Sequence, residues 1–413
     1  MSLVDQLAPT RGLKLVAVAA VLMAVFLAAC VMVQSQAYLK ASAGHAAHRL
    51  VDFDAFYIAG TMGREGRMAA AYDTRTMYAA EAAVSHGVEK PTLPWAYPPQ
   101  FDLLLTALAF LPAGLAYLVF ALGSLAFYLT VLQRIAGRDF ALAFLAAGPG
   151  LMATIFAGQN GFLTGGLVGL FALLALRRRA SAGLPLGLMV IKPHLGLGIA
   201  AWAVMRGRWA MVAVAAATVL VSGALATLVY GPGIWAAFLS GLDATAEMLR
   251  TGGFRYFRLA SVFAALRALG LSTGAAMAGQ GLAALIGLVV IWRAARLGLP
   301  LRAQLGLATL CGLMISPYAY DYDMALYGIG FALIWPVLAP RLALAEAAAL
   351  VVAGWVATSL SIWLGATSPS AAALEKQVRA GQKPAVVGLL MLGLILWIAL
   401  RAGGRENGAP ART

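Results

Sequence analysis

The chain repeatedly runs for about twenty residues with almost no charge, the length a helix needs to cross the hydrocarbon core of a bilayer. Leu13–Val33 carries Lys14 as its only charged residue, and apolar runs of similar kind recur to the end of the sequence. Composition agrees: 62% of the 413 residues are hydrophobic, 11% are charged, and the mean hydropathy is +0.85. An ordinary soluble domain is near half apolar and a quarter charged, so a soluble enzyme, a disordered regulator and a fibre are excluded. The expected class is an all-α polytopic membrane protein, a single domain over 1–413 with about ten transmembrane helices.

The expected spans are 13–33, 101–133 (bent at Pro112), 139–157, 161–176, 209–230, 275–293, 303–316, 323–338, 343–364 and 385–402. A long first external loop occupies 36–100, and the C-terminal spans fall within 340–413. The apolar stretch 180–205 is interrupted by Lys192-Pro193-His194. Two half-length helices that enter and leave on one side, a re-entrant hairpin, suit it best. The first run is too long for a signal-peptide core, although Ala41-Ser42-Ala43 follows it, and reads as an uncleaved span. This parity sets both termini in the cytoplasm, of a bacterial inner membrane by expectation. The side so assigned carries Arg177–Arg179, Arg206, Arg208 and most other arginines, against only Asp5, Asp139, Glu346 and Glu406. That is the positive-inside bias.

The formal net charge of +14 therefore reflects topology. Stacking aromatics are not interleaved with the arginines, so nucleic acid is not an expected partner; membrane lipids are. Cys30 and Cys311 lie in apolar runs without metal or redox spacing and read as buried free thiols. His45 and His48 precede Asp52 by a helical interval, but without matching ligands a metal is not expected. No cofactor is implied.

Polar residues gather where few are allowed. Seven of the 16 acids fall between Asp52 and Asp102, in the first external loop. Asp52 and Asp54 come soon after a span, where desolvation raises a carboxyl pKa and makes it a better base. They serve that way, or they pair with Arg49, Arg64 and Arg67. Gln159 and Asn160, between two spans, offer amides to sugar hydroxyls or simply form a turn. Lys192, at a helix break, suits a lipid-linked phosphate or snorkels to the interface. Tyr320, Asp321, Tyr322 and Asp323 join apolar faces for a sugar ring to acids for its hydroxyls, or form an interfacial aromatic belt. All of these clusters fall on one side.

In order, Asp52-Phe53-x-x-Phe56-Tyr57-x-Ala59, Tyr72-Asp73, Tyr97-Pro98-Pro99, Gly158-Gln159-Asn160, Lys192-Pro193 and Ser316-Pro317 resemble glycosyltransferase family 87, of the GT-C superfamily. After Ser316-Pro317 the chain departs from the mannosyltransferase type, with Tyr320 to Asp323 where a Trp and histidines are common. The resemblance implies a GT-C-like fold and a donor sugar on polyprenyl phosphate, typically mannose. It also implies a lipid or glycan acceptor and inverting transfer on the extracytoplasmic face. Carried over, Asp52 is the candidate base and Asp54 ranks second, at a variable position of the motif. Lys192 is the family lysine. It would bind the donor phosphate, helped by His194, Arg255 and Arg258, while Tyr57, Tyr97, Gln159, Asn160 and the 320–323 cluster would hold sugar and acceptor. Two other classes remain open: a polyprenyl-lipid or solute transporter, which would bury its ionisable residues near the midplane of several helices, and a structural assembly subunit.

Overall fold

A computed structural model describes residues 11–42, 50–86, 93–251, 253–366 and 384–403. His45 and His48 lie outside the described residues. Helix α1 (Arg11–Ser42) is apolar all round and leaves Leu22 64% exposed while burying Leu27 and Val31. Such a helix is stable only against lipid on its open face. The loop region that follows is itself helical: α2 (Asp52–Arg64), a 3-10 turn at Met68–Tyr72, and α3 (Thr74–Val84).

The expected span over 101–133 is two helices, α4 (Pro99–Leu108) and α5 (Ala113–Ala136), rather than one bent rod. Pro112 caps α5 with an extended backbone; it lacks an N–H and disfavours helix at Leu111. The freed carbonyls at the end of α4 are taken by α2. Tyr57 donates its hydroxyl to the Leu111 carbonyl (2.9 Å) and Arg64 donates to that of Ala109 (2.8 Å).

Then come α6 (Phe140–Ala157), α7 (Gly161–Leu176), α8 (Gly183–Leu188) and α9 (Pro193–Met205). The chain breaks at Lys192 (φ −146°, ψ 71°) between α8 and α9. The ends of this stretch return to each other, because Arg178 and Ala180 line the same cleft as Gly207, Arg208 and Trp209. Helices α10 (Trp209–Tyr230), α11 (Ile234–Thr251), α12 (Val262–Ala268), α13 (Thr273–Arg296), α14 (Leu301–Ile315), α15 (Ala325–Leu338), α16 (Leu344–Ala366) and α17 (Val387–Gly403) complete the fold.

Among the described residues there is no β-strand, only a bridge between Leu259 and Tyr320. Helices α14 and α15 form the centre, with nearly every side chain buried, whereas α10 leaves Leu228 83% exposed. Large apolar exposure on the rim with a packed centre is the signature of a bundle solvated by lipid. Among the described residues, six helical stretches are long and apolar enough to cross a bilayer: Val16–Tyr38, Ala113–Ala157, Trp209–Tyr230, Thr273–Arg296, Asp321–Arg341 and Leu344–Leu364.

Candidate functional site

Helix α2 enters the bundle on two aromatic anchors. Phe53 packs edge-on against Tyr117 (5.3 Å between centroids) and Phe56 against Phe101 (5.2 Å). Asp54 is buried and its Oδ2 accepts from the Val51 N–H (2.7 Å), so it closes the first turn of its own helix. Asp52 faces elsewhere. Its Oδ2 accepts from Gln159 Nε2 at 2.9 Å, a contact between residues 107 positions apart.

Two glycines make that contact geometrically possible. Gly158 ends α6 with φ +64°, and a Cβ there would sit 2.6 Å from that of Phe53. Any other residue would be strained and would push the turn away from α2. Gly161, opening α7, leaves no room for a Cβ against the Tyr322 carbonyl. Thr154 donates to that same carbonyl (3.0 Å), so the 320–323 segment is held against the α6–α7 turn.

Within the 3-10 turn Asp321–Met324 two carboxylates are spent on two cations. Asp323 Oδ1 lies 2.7 Å from Lys192 Nζ, both side chains almost fully buried, and its Oδ2 accepts from the Tyr320 N–H (2.9 Å). Asp321 receives Arg258 bidentately, Nε to Oδ2 at 2.9 Å and Nη2 to Oδ1 at 3.0 Å. This fork-to-fork geometry fixes direction as well as charge. Tyr320 and Tyr322 stack with rings 5.0 Å apart and nearly parallel. Lys192 Nζ sits 4.4 Å from the Tyr322 centroid, and the Arg258 guanidinium 5.6 Å from both rings. An antiparallel bridge at Leu259–Tyr320, with the Ala260 N–H donating to Ala319 (2.7 Å), ties Arg258 to this turn.

Burial pushes the Asp52 carboxyl up from its ordinary value, and Asp321 adds to it; Arg258, the Gln159 amide and Lys192 pull the other way. Burial likewise raises the hydroxyls of Tyr97 and Tyr320.

Most of the expected site residues meet here: Asp52, Tyr97, Gln159, Lys192, Arg258 and Tyr320 to Asp323. Asp54 and Tyr57 are committed to α2's own cap and to the end of α4. Arg255 is exposed, and Arg258 engages the acidic turn through Asp321. His194 lies edge-on to Tyr318 (6.1 Å) with Nε2 buried and without a hydrogen bond. The Asn160 side chain is fully buried, and neither its amide nitrogen nor its oxygen has a partner.

Sequence reasoning overlooked a buttress beneath Tyr97. Asp102 is buried and accepts from Tyr72 (2.7 Å) and Trp95 (3.2 Å), while the Tyr72 hydroxyl also reaches the Tyr97 carbonyl (2.7 Å). The one available signal was an acid three residues inside the apolar helix that follows Pro98-Pro99.

A paired ammonium and guanidinium beside an aromatic platform, with a carboxylate opposite, can hold an anionic group and a ring and remove a proton next to them. A family model described as glycosyltransferase family 87 matches residues 95–317, more than half of the chain. That interval contains Tyr97, Gln159, Lys192 and Arg258; Asp52, Asp321 and Asp323 fall outside it. No curated protein and no solved structure gives a significant match.

Proposed function

Because the chain belongs to glycosyltransferase family 87, we propose that it moves a sugar, mannose in this reading, from polyprenyl phosphate to a hydroxyl of a lipid or glycan acceptor. The transfer is inverting and takes place on the extracytoplasmic face, with Asp52 as general base. The fold is read as one GT-C-like domain of about ten crossings, in which α8 and α9 form a re-entrant hairpin with Lys192 at its apex.

One observation carries the assignment of the base. Of the charged side chains gathered here, Lys192 is matched by Asp323 and Arg258 by Asp321, while Asp52 has, among the described residues, no cation of its own and a side-chain bond only from an amide. A carboxylate raised by burial and left unpaired is suited to accept a proton.

The acceptor O–H gives its proton to Asp52 as its oxygen attacks the anomeric carbon from the face opposite the phosphate. The bond from that carbon to the phosphate oxygen breaks and its electron pair leaves with the phosphate. One displacement inverts the centre, and no second, nucleophilic carboxylate is required. The donor is a phosphodiester with a single negative charge, and its departure creates a second. Lys192 and Arg258 stabilise that developing charge, aimed until then by their contacts with Asp323 and Asp321. Tyr320 and Tyr322 present a face on which the sugar stacks.

The test is transfer from tritium-labelled mannosyl polyprenyl phosphate to a membrane-lipid extract. Asp52→Asn and Asp52→Ala are each expected to lower turnover about 10²-fold or more. Near-normal turnover in both removes Asp52 as the base. Counterflow of labelled lipid without sugar transfer would support a transporter instead.

A further inference from the structure

Gln159 is 6% exposed, and both ends of its amide are engaged. Its Oε1 accepts from the Tyr97 hydroxyl at 3.0 Å and from the backbone N–H of Asn160 at 3.2 Å. A backbone N–H can only donate, so the oxygen end must face Asn160. The nitrogen end then has one direction left, toward Asp52 Oδ2, and its bond there is necessarily a donation. We infer that Gln159 is a positioning residue for Asp52, an amide locked by Tyr97 and Asn160 so that it donates to one carboxylate oxygen and leaves the other for the acceptor hydroxyl. This rests on the reading of Asp52 as base, and it gives Gln159 a different task from the sugar contact expected from its sequence.

The chemistry follows from which protonation state the amide rewards. A donated N–H stabilises the ionised carboxylate and has no acceptor to offer a carboxylic acid. Asp52 is desolvated, and the charged groups facing it from other segments are divided. Arg258 and Lys192 favour ionisation; Asp321 opposes it. Tyr38, Tyr97, Tyr318, Tyr320 and Tyr322 surround it as neutral hydroxyls. The locked amide therefore favours the ionised base against the desolvation that opposes it, and it also fixes which oxygen meets substrate.

The decisive variant is Gln159→Glu. A carboxylate at 159 can still accept from Tyr97 and from the Asn160 N–H, so the local scaffold survives. Toward Asp52 it now presents a like charge in place of a donor, and the two carboxyls titrate as a coupled pair. The acid limb of the kcat/KM–pH profile is expected to move upward by about one unit or more, with turnover recovering as pH is raised. Gln159→Met, similar in volume and uncharged, is expected to move the limb in the same direction by less. Tyr97→Phe is expected to change it least, because the Asn160 N–H still orients the amide.

A second readout needs no substrate. In nanodiscs, the infrared carbonyl band of protonated Asp52, assigned by its absence in Asp52→Asn, should persist to higher pH in Gln159→Glu and Gln159→Met. An unmoved acid limb and an unmoved band in both variants, with Asp52→Asn inactive, would overturn the positioning role while leaving the base intact. An active Asp52→Asn would fail the base assignment itself, a distinguishable result.

Discussion

A carboxylate held without a counter-ion is a local cost that the rest of the fold must offset, and at Asp52 the sign of that cost is measurable. Burial raises its folded-state pKa above the unfolded value. The folded protein therefore binds the proton more tightly than the unfolded chain does. Asp52 favours folding most below its unfolded pKa, and this contribution is lost as pH rises through the folded one. Asp52→Asn puts an amide of nearly the same shape in place of the carboxyl and never ionises. The variant is expected to unfold at a higher temperature than the parent at neutral pH, with the gap closing in acid. Apparent unfolding temperatures of the two proteins in detergent across that pH range check this. A parent that is the more stable at neutral pH would mean that Arg258 and Lys192 already compensate the charge. Because the same substitution is expected to lower transfer sharply, stability and activity should move in opposite directions, as they do where a site is strained for function.

Between elements, the telling contact joins the α8–α9 break to the turn before α15. Residues 140–242 contain no acid, so Lys192 had to draw its partner from a distant segment, and Asp323 lies 131 positions away. Removing one member of a buried ion pair leaves an uncompensated charge and costs about 3–5 kcal/mol, whereas replacing both by apolar residues is often neutral. Lys192→Met alone should therefore be strongly destabilising. Lys192→Met combined with Asp323→Leu should recover most of the stability and none of the transfer. Strictly additive losses in a double-mutant cycle would show that the two side chains do not act as a pair. This contact also shows what the sequence could and could not disclose. Lys192, Gln159 and the 320–323 acids stood out because polar residues are scarce in so apolar a chain. Their pairing was hidden, since register between helices is set by packing such as Gly158 against Phe53 and Gly161 against Tyr322. The break at Pro112 was legible as a bend. That it frees carbonyls for Tyr57 and Arg64 was not, because those partners lie some fifty residues upstream.

For the whole molecule the open quantity is its direction in the membrane, on which the class of donor depends. In the proposed reading a sugar on polyprenyl phosphate is presented outside the cytoplasm and a nucleotide sugar inside it, so the orientation of the site is the property to test. Five arginines, Arg177–Arg179, Arg206 and Arg208, flank the α8–α9 stretch at its two ends, Arg178 and Arg208 lining one cleft, while the break at Lys192 meets the acidic turn. Under the proposed orientation the positive-inside bias would put the arginines in the cytoplasm and the site on the opposite face. Two exposed positions report on this without disturbing the core. Arg206 is at the arginine-rich end, and Arg250 closes α11, where its ion pair with Glu247 is solvated and worth little. With Cys30 and Cys311 replaced by Ala, Arg250→Cys should react with a membrane-impermeant maleimide on intact cells. Arg206→Cys should react only after permeabilisation. The reverse pattern would turn the site to the cytoplasm and exclude an extracytoplasmic donor. Labelling of both positions in intact cells would instead mean that the α8–α11 region does not separate the two faces.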